Sequence, residues 1–214
     1  MPNWELQAIE MERVIADLKG KKVHTFDQTA IEHRLDTTGA GLPDDAKGGQ
    51  CFAYSTYFLE CECDWQDFTD DVANNKAVRS KIRGYQQLLC ARGIQVWNMT
   101  THSSAHTDLF YRAAHDLAAI ILKRQGAFLI SDKKPDICKF INNQPSGSMF
   151  LFQISTPGSS HAIAFRKKTS EFIFFEPNYY IATFPINYAH DMIERYMNDA
   201  WSDASYYFAS CFSV

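Results

Sequence analysis

The sequence predicts an α+β fold in which a mostly helical first two-thirds precedes an antiparallel sheet. Three observations carry that expectation. Apolar residues recur at helical spacing as far as residue 124. From residue 148 they give way to short aromatic and β-branched runs bounded by Gly, Pro and Ser. Hydrophobic residues make up 46% of the 214 and charged residues 21%, which is enough apolar material for a packed core and excludes wholesale disorder.

The elements follow in chain order. Leu6, Ile9, Val14, Ile15 and Leu18 mark a helix over 3–19, with Asn3 as its candidate cap and Gly20 as its end. The stretch 36–50, rich in Gly, Asp and Thr, reads as the clearest loop. Phe52 to Glu60 reads as a helix with an apolar face, and Asp70 to Ala91 as another that Gly93 terminates. Ser104 caps a long helix through Arg124, which Gly126 closes. Strands are expected at 148–155, 161–165, 171–176 and 206–214, with one more helix at 188–200. No repeat, low-complexity tract or long linker interrupts the chain. One domain over 1–214 is therefore expected, with 1–35 as a candidate N-terminal helical extension.

Composition excludes several function classes. A net charge of -4 and only short basic runs (Lys19 to Lys22, Lys133-Lys134, Arg166 to Lys168, all read as solvated turns) leave no stripe for nucleic acid. The longest apolar run, Leu117 to Leu122, is far shorter than the ~20 residues of a membrane-spanning helix, so no integral membrane association is expected. The N-terminus has neither a basic region nor an apolar core of the secretory kind, and the six cysteines read as reduced thiols. Cys61 and Cys63 resemble half of a metal clip without a second half, so no metal is expected. His106, Asp108 and His115 read as a solvated helix face, and His190 as exposed. Trp65, Trp97 and Trp201 read as core or groove wall. Neither a Walker A nor a dinucleotide fingerprint occurs, so no cofactor is expected.

Chemistry gathers in two places. Gly48-Gly49-Gln50-Cys51 sets a cysteine where a flexible loop meets a helix. The unpaired N–H groups and positive dipole of a helix start favour thiolate and can receive an oxyanion. A buried structural cysteine after a turn is the plain alternative. Downstream, the segments around His161 and Glu176 read as a hairpin. A turn centred between Lys168 and Thr169 sets Phe165 opposite Phe172, Ile163 opposite Phe174 and His161 opposite Glu176. The carboxylate can then accept the Nδ1 proton and steady an imidazolium. A pair that merely ends a hairpin is the plain alternative here. Together, a helix-start cysteine and a sheet histidine with an opposed acid match the arrangement of papain-like hydrolases.

Gly48-Gly49-Gln50-Cys51, Gly158-Ser159-Ser160-His161-Ala162-Ile163-Ala164 and Phe174-Phe175-Glu176-Pro177-Asn178-Tyr179 resemble, in order, the three signatures of the YopT/AvrPphB-type cysteine proteases of bacterial effectors. The intervals, 161 − 51 or 110 residues and 176 − 161 or 15 residues, suit that family. Glu176 stands where the family usually has Asp. The resemblance implies a papain-like fold, with the Cys-bearing helix packed on the sheet that holds His and acid. It implies Cys51 as nucleophile, His161 as general base and acid, and Glu176 as the residue orienting His161. Gln50 and the backbone N–H of Cys51 are the oxyanion candidates.

The resemblance also implies a protein of the host cell as substrate, export by a specialised bacterial system without a classical signal, and action in the target-cell cytosol. A glutamine deamidase of the OspI kind would use the same triad. An acyltransferase or transglutaminase and a catalytically silent binding module on the same scaffold are further readings. Specificity is expected in surface loops such as 36–50 and 62–70.

Overall fold

The computed structural model describes residues 4–28, 50–99, 103–156 and 159–213. Along the chain run α1 (Trp4–Asp17), β1 (Lys21–Thr25), α2 (Cys51–Glu60), α3 (Trp65–Asn74), α4 (Lys76–Met99), α5 (Ser103–Leu122), β2 (Gly126–Ser131), α6 (Lys134–Asn142), β3 (Met149–Thr156), β4 (Ser159–Lys167), β5 (Glu171–Glu176), β6 (Tyr180–Pro185), α7 (Ala189–Arg195) and β7 (Tyr206–Phe212). The expected α+β class is observed. The strands form one antiparallel sheet in the order β1-β6-β5-β4-β3-β7-β2.

The period-two alternation of the strands explains why helices cover both faces. Phe150, Phe152, Ile163, Phe165, Phe172 and Phe174 point to one face, where they pack with Met11 and Val14 of α1, Ile137 and Ile141 of α6, and Met192 and Ile193 of α7. Met149, Leu151, Ala162, Ala164, Ile173 and Phe175 point to the other, against α2 to α5. Central strands buried on both faces read as nearly continuous apolar runs. Helix α2 is buried over its first nine residues, so it has no polar face to lend to water. Its hydroxyls are satisfied internally: Thr56 donates to the Phe52 carbonyl (2.7 Å) and Ser55 to the Ala162 carbonyl of β4 (3.1 Å).

Several elements depart from the sequence-based expectation, each for a physical reason. The expected helix from Asp70 is two helices. Asp64 caps α3 through the N–H groups of Gln66 and Asp67, and Asn75 leaves helical geometry to cap α4 through those of Ala77 and Val78. The expected loop 62–70 is therefore largely α3, while 36–49 and Asn3 lie outside the described residues. Gly93 does not end a helix, because α4 runs on to Met99. A Cβ there would sit 3.1 Å from the Phe110 ring of α5, so the glycine allows two helices to approach closely. Gly126 opens β2, and a Cβ there would lie 2.5 Å from the Cys211 carbonyl oxygen. The Lys19 to Lys22 run, expected as a turn, enters β1, an edge strand of the sheet. Lysines suit such a strand because they discourage pairing with another chain. The 188–200 helix is α7 followed by a π-helical turn, Tyr196–Ala200.

His115 of α5 is buried against the β7 end of the sheet rather than on a solvated face, while Asp108 is exposed. Its Nδ1 lies 3.0 Å from the Ser210 hydroxyl, and its ring stacks on Phe212 at 5.4 Å. Burial holds its pKa below the ordinary 6.5, against opposing pulls from Asp116 and a backbone bond to Gly126. The unfolded chain therefore takes up this proton more readily. Its stability contribution is complete above about pH 6.5 and is lost as pH falls through the lowered value. Melting temperatures measured from pH 7.5 to 5 are expected to fall more steeply for the wild type than for His115→Gln, and parallel curves would refute this.

Candidate active site

Cys51 is the first residue of α2, preceded by Gln50 at the cap position with φ −105° and ψ 9°. The first turn holds no acidic side chain, so nothing there offsets the positive end of the helix dipole. The thiol is mostly buried, at 7% exposure. The Ser55 hydrogen bond, one turn further on, pins the start of α2 to β4, the strand that carries His161.

His161 and Glu176 meet as expected, by a different register and through a different nitrogen. The paired residues of β4 and β5 have numbers summing to 339 rather than 337: Phe165 faces Phe174, and Ala164 faces Phe175. Extending that ladder sets Glu176 opposite Ile163, diagonal to His161. A two-residue slip keeps every side chain on its face. The diagonal is longer than a direct pair, and the additional methylene of Glu over Asp helps to span it. His161 Nε2, not Nδ1, lies 2.7 Å from Glu176 Oε1, with both side chains buried.

Cys51 lies beside the same ring, close enough to help raise its pKa. With Nε2 engaged by Glu176, the nitrogen left for Cys51 is Nδ1. Burial alone pulls the His161 pKa down, but the Glu176 carboxylate and then Cys51 outweigh it and raise it from 6.5 to about 10.

Two further side chains enclose this pair. Trp201 stacks on the His161 ring at 5.2 Å and 15°. Tyr196 donates its hydroxyl to Glu176 Oε2, and the Asn178 N–H donates to Oε1 at 3.0 Å. Tyr196 opens the π-helical segment and Trp201 follows its last residue, and the extra residue per turn re-aims their side chains. Trp201 was legible only as core or wall, and Tyr196 only as one helix residue among several. Tyr111 of α5 is buried close to Ser155, Ser160 and Cys51.

Gln50, an oxyanion candidate, has its backbone N–H engaged: it donates to Gln28 Oε1 at 3.0 Å. Gln28 belongs to no sequence motif and was not anticipated. Cys61 and Cys63 lie beyond the far end of α2 from Cys51. Burial raises the Cys61 pKa to about 12 and raises that of Cys63 too, which keeps both as inert thiols. His190 is exposed on α7, 3.7 Å from Glu194. Among the described residues no group of His, Cys, Asp and Glu could hold a metal, and no helix is long and apolar enough to cross a membrane.

The model of the peptidase C58 family, described as Yersinia/Haemophilus virulence surface antigen, matches residues 12–211. Among solved structures, the Pseudomonas avirulence protein AvrPphB is similar at a TM-score of 0.59 and 17% identity, over 81% of this chain and 96% of that one. The likeness is one of fold. The YopT domain of the Pasteurella multocida PfhB2-toxin matches at a TM-score of 0.27 and 14% identity, over 88% of this chain and 89% of that one. No curated protein matches.

Proposed function

The chain belongs to the peptidase C58 family, a family of cysteine proteases of bacterial virulence, and on that premise we propose that Cys51, His161 and Glu176 form a triad that cleaves a peptide bond in a host-cell protein. The observation that carries the reading is a buried imidazole held on Nε2 by a carboxylate and flanked by a thiol at the start of a helix.

In this mechanism the Cys51 thiolate attacks the scissile carbonyl while His161 holds the proton. Negative charge builds on the carbonyl oxygen, and the N–H of Cys51 at the helix start receives it. The C–N bond breaks as His161 Nδ1 gives its proton to the departing amine, leaving a thioester on Cys51. Water then gives a proton to the same nitrogen and attacks the thioester, which releases the acid and restores the thiol. Throughout, Glu176 holds Nε2 and keeps Nδ1 turned to the sulfur. Trp201 shields the His161–Glu176 bond from water, which strengthens it. Action in the target-cell cytosol accompanies this reading.

The test is terminal labelling and mass spectrometry of a target-cell extract incubated with wild type or Cys51→Ala. New N-termini that arise only with the wild type are expected. A gain of ~1 Da on a glutamine with chains left intact would move the assignment to a deamidase. No covalent change with either protein would indicate a binding module.

A further inference from the structure

We propose that Gln28 is a positioning residue that fastens the segment before Cys51 to the turn after Glu176, an inference that rests on the triad reading above. Gln28 is mostly buried, at 7% exposure, and uses both ends of its amide. Its Oε1 accepts the Gln50 N–H at 3.0 Å, and its Nε2 donates to Asn178 Oδ1 at 2.5 Å. Its backbone N–H also donates to the Pro177 carbonyl at 2.9 Å. Asn178 in turn donates its N–H to Glu176 Oε1, which holds His161 beside Cys51.

Gln50 and Cys51 are neighbours in the chain. The sequence of contacts therefore closes into a ring: Gln50, Gln28, Asn178, Glu176, His161, Cys51. The ring joins three segments that are far apart in sequence. Sulfur, ring and carboxylate sit on separate elements, and each could drift by a fraction of an ångström without unfolding anything. A misplacement of about 1 Å costs up to about a hundredfold in rate, so a clasp between nucleophile and acid matters more to chemistry than to folding.

The residue type is demanding. The clasp needs an acceptor and a donor about one amide apart, on a side chain long enough to reach both segments from the end of the β1 strand. Methionine matches the length and supplies neither. By engaging the Gln50 N–H, Gln28 also leaves the oxyanion to the next N–H along, that of Cys51.

The test needs no substrate. In the full chain, alkylation of Cys51 by iodoacetamide is followed by peptide mass spectrometry from pH 5 to 9, for wild type, His161→Ala, Gln28→Met and Asn178→Ala, each checked by thermal melting. Wild-type Cys51 is expected to alkylate faster at pH 6 than Cys51 in His161→Ala, which has lost the neighbouring base. Gln28→Met is expected to slow the reaction at pH 6 about tenfold or more and to move the profile towards that of His161→Ala. Asn178→Ala, which opens the ring on its other side at a half-buried turn, is expected to do the same, and it decides the matter if Gln28→Met fails to fold. Folded variants with the wild-type profile, beside a His161→Ala that differs, would overturn the role of Gln28 and leave the triad standing. A wild type indistinguishable from His161→Ala would overturn both.

Discussion

Cys51→Ala is expected to abolish peptide-bond cleavage, lowering the rate by about 10⁴-fold or more, while changing stability by about 1 kcal/mol. The asymmetry follows from where the sulfur sits. It occupies the first position of a helix whose packing is carried by Phe52, Tyr54, Phe58 and Leu59, all fully or nearly fully buried. Removing one atom from the helix start leaves that packing intact, whereas no neighbouring group can form the thioester. Cys61 and Cys63 have raised pKa values and lie at the far end of α2. Generation of new N-termini in a target-cell extract, read beside a thermal melt, checks both halves. Cleavage that survives in a folded Cys51→Ala would remove Cys51 from the mechanism.

Glu176→Ala is expected to damage both function and fold, costing about 3–5 kcal/mol of stability. The carboxylate is 1% exposed and accepts from His161, Tyr196 and the Asn178 N–H, so its loss strands three donors at once, two of them buried. Glu176→Gln preserves volume and keeps an acceptor for Tyr196. It turns an amide N–H towards Nε2 and so favours the wrong tautomer; a loss of about 10³- to 10⁴-fold in rate with a smaller stability cost is expected.

The pH dependence has a definite sign. The folded His161 pKa is raised, so the pair's contribution is complete below about pH 6.5 and is lost as pH rises towards about 10. The gap in denaturation midpoint between wild type and Glu176→Ala should therefore be widest at pH 6 and narrower at pH 9.5. A gap that widens with pH would mean that the imidazolium is not what the carboxylate holds.

The parts of the site that were legible in the sequence are those written in local chemistry. A cysteine after two glycines and before an apolar run identifies a helix start, and a histidine and a carboxylate on facing aromatic strands identify a shared sheet face. The register was misread by one pleat because Lys168-Thr169-Ser170-Glu171 contains no Gly or Asn to mark its turn. The observed turn closes with the Lys168 N–H on the Glu171 carbonyl (2.8 Å). The error did little harm, since a slip of two preserves the face.

Tertiary placement was not legible. Gln28, Tyr196 and Trp201 act through partners more than a hundred residues away or through a π-helical turn, and neither leaves a periodic signal. Strand β1 was hidden for the opposite reason: a solvated edge needs only Val23 to face inward, so its lysines read as a turn.

The sheet lies between the partners of the reaction. Cys51 belongs to the core on one side, while the aromatic wall around the imidazole and the carboxylate belongs to the core on the other. Sulfur and ring come together only at the strand ends, once both layers have condensed. Assembly of the site therefore depends on the packing of both layers, not of one alone.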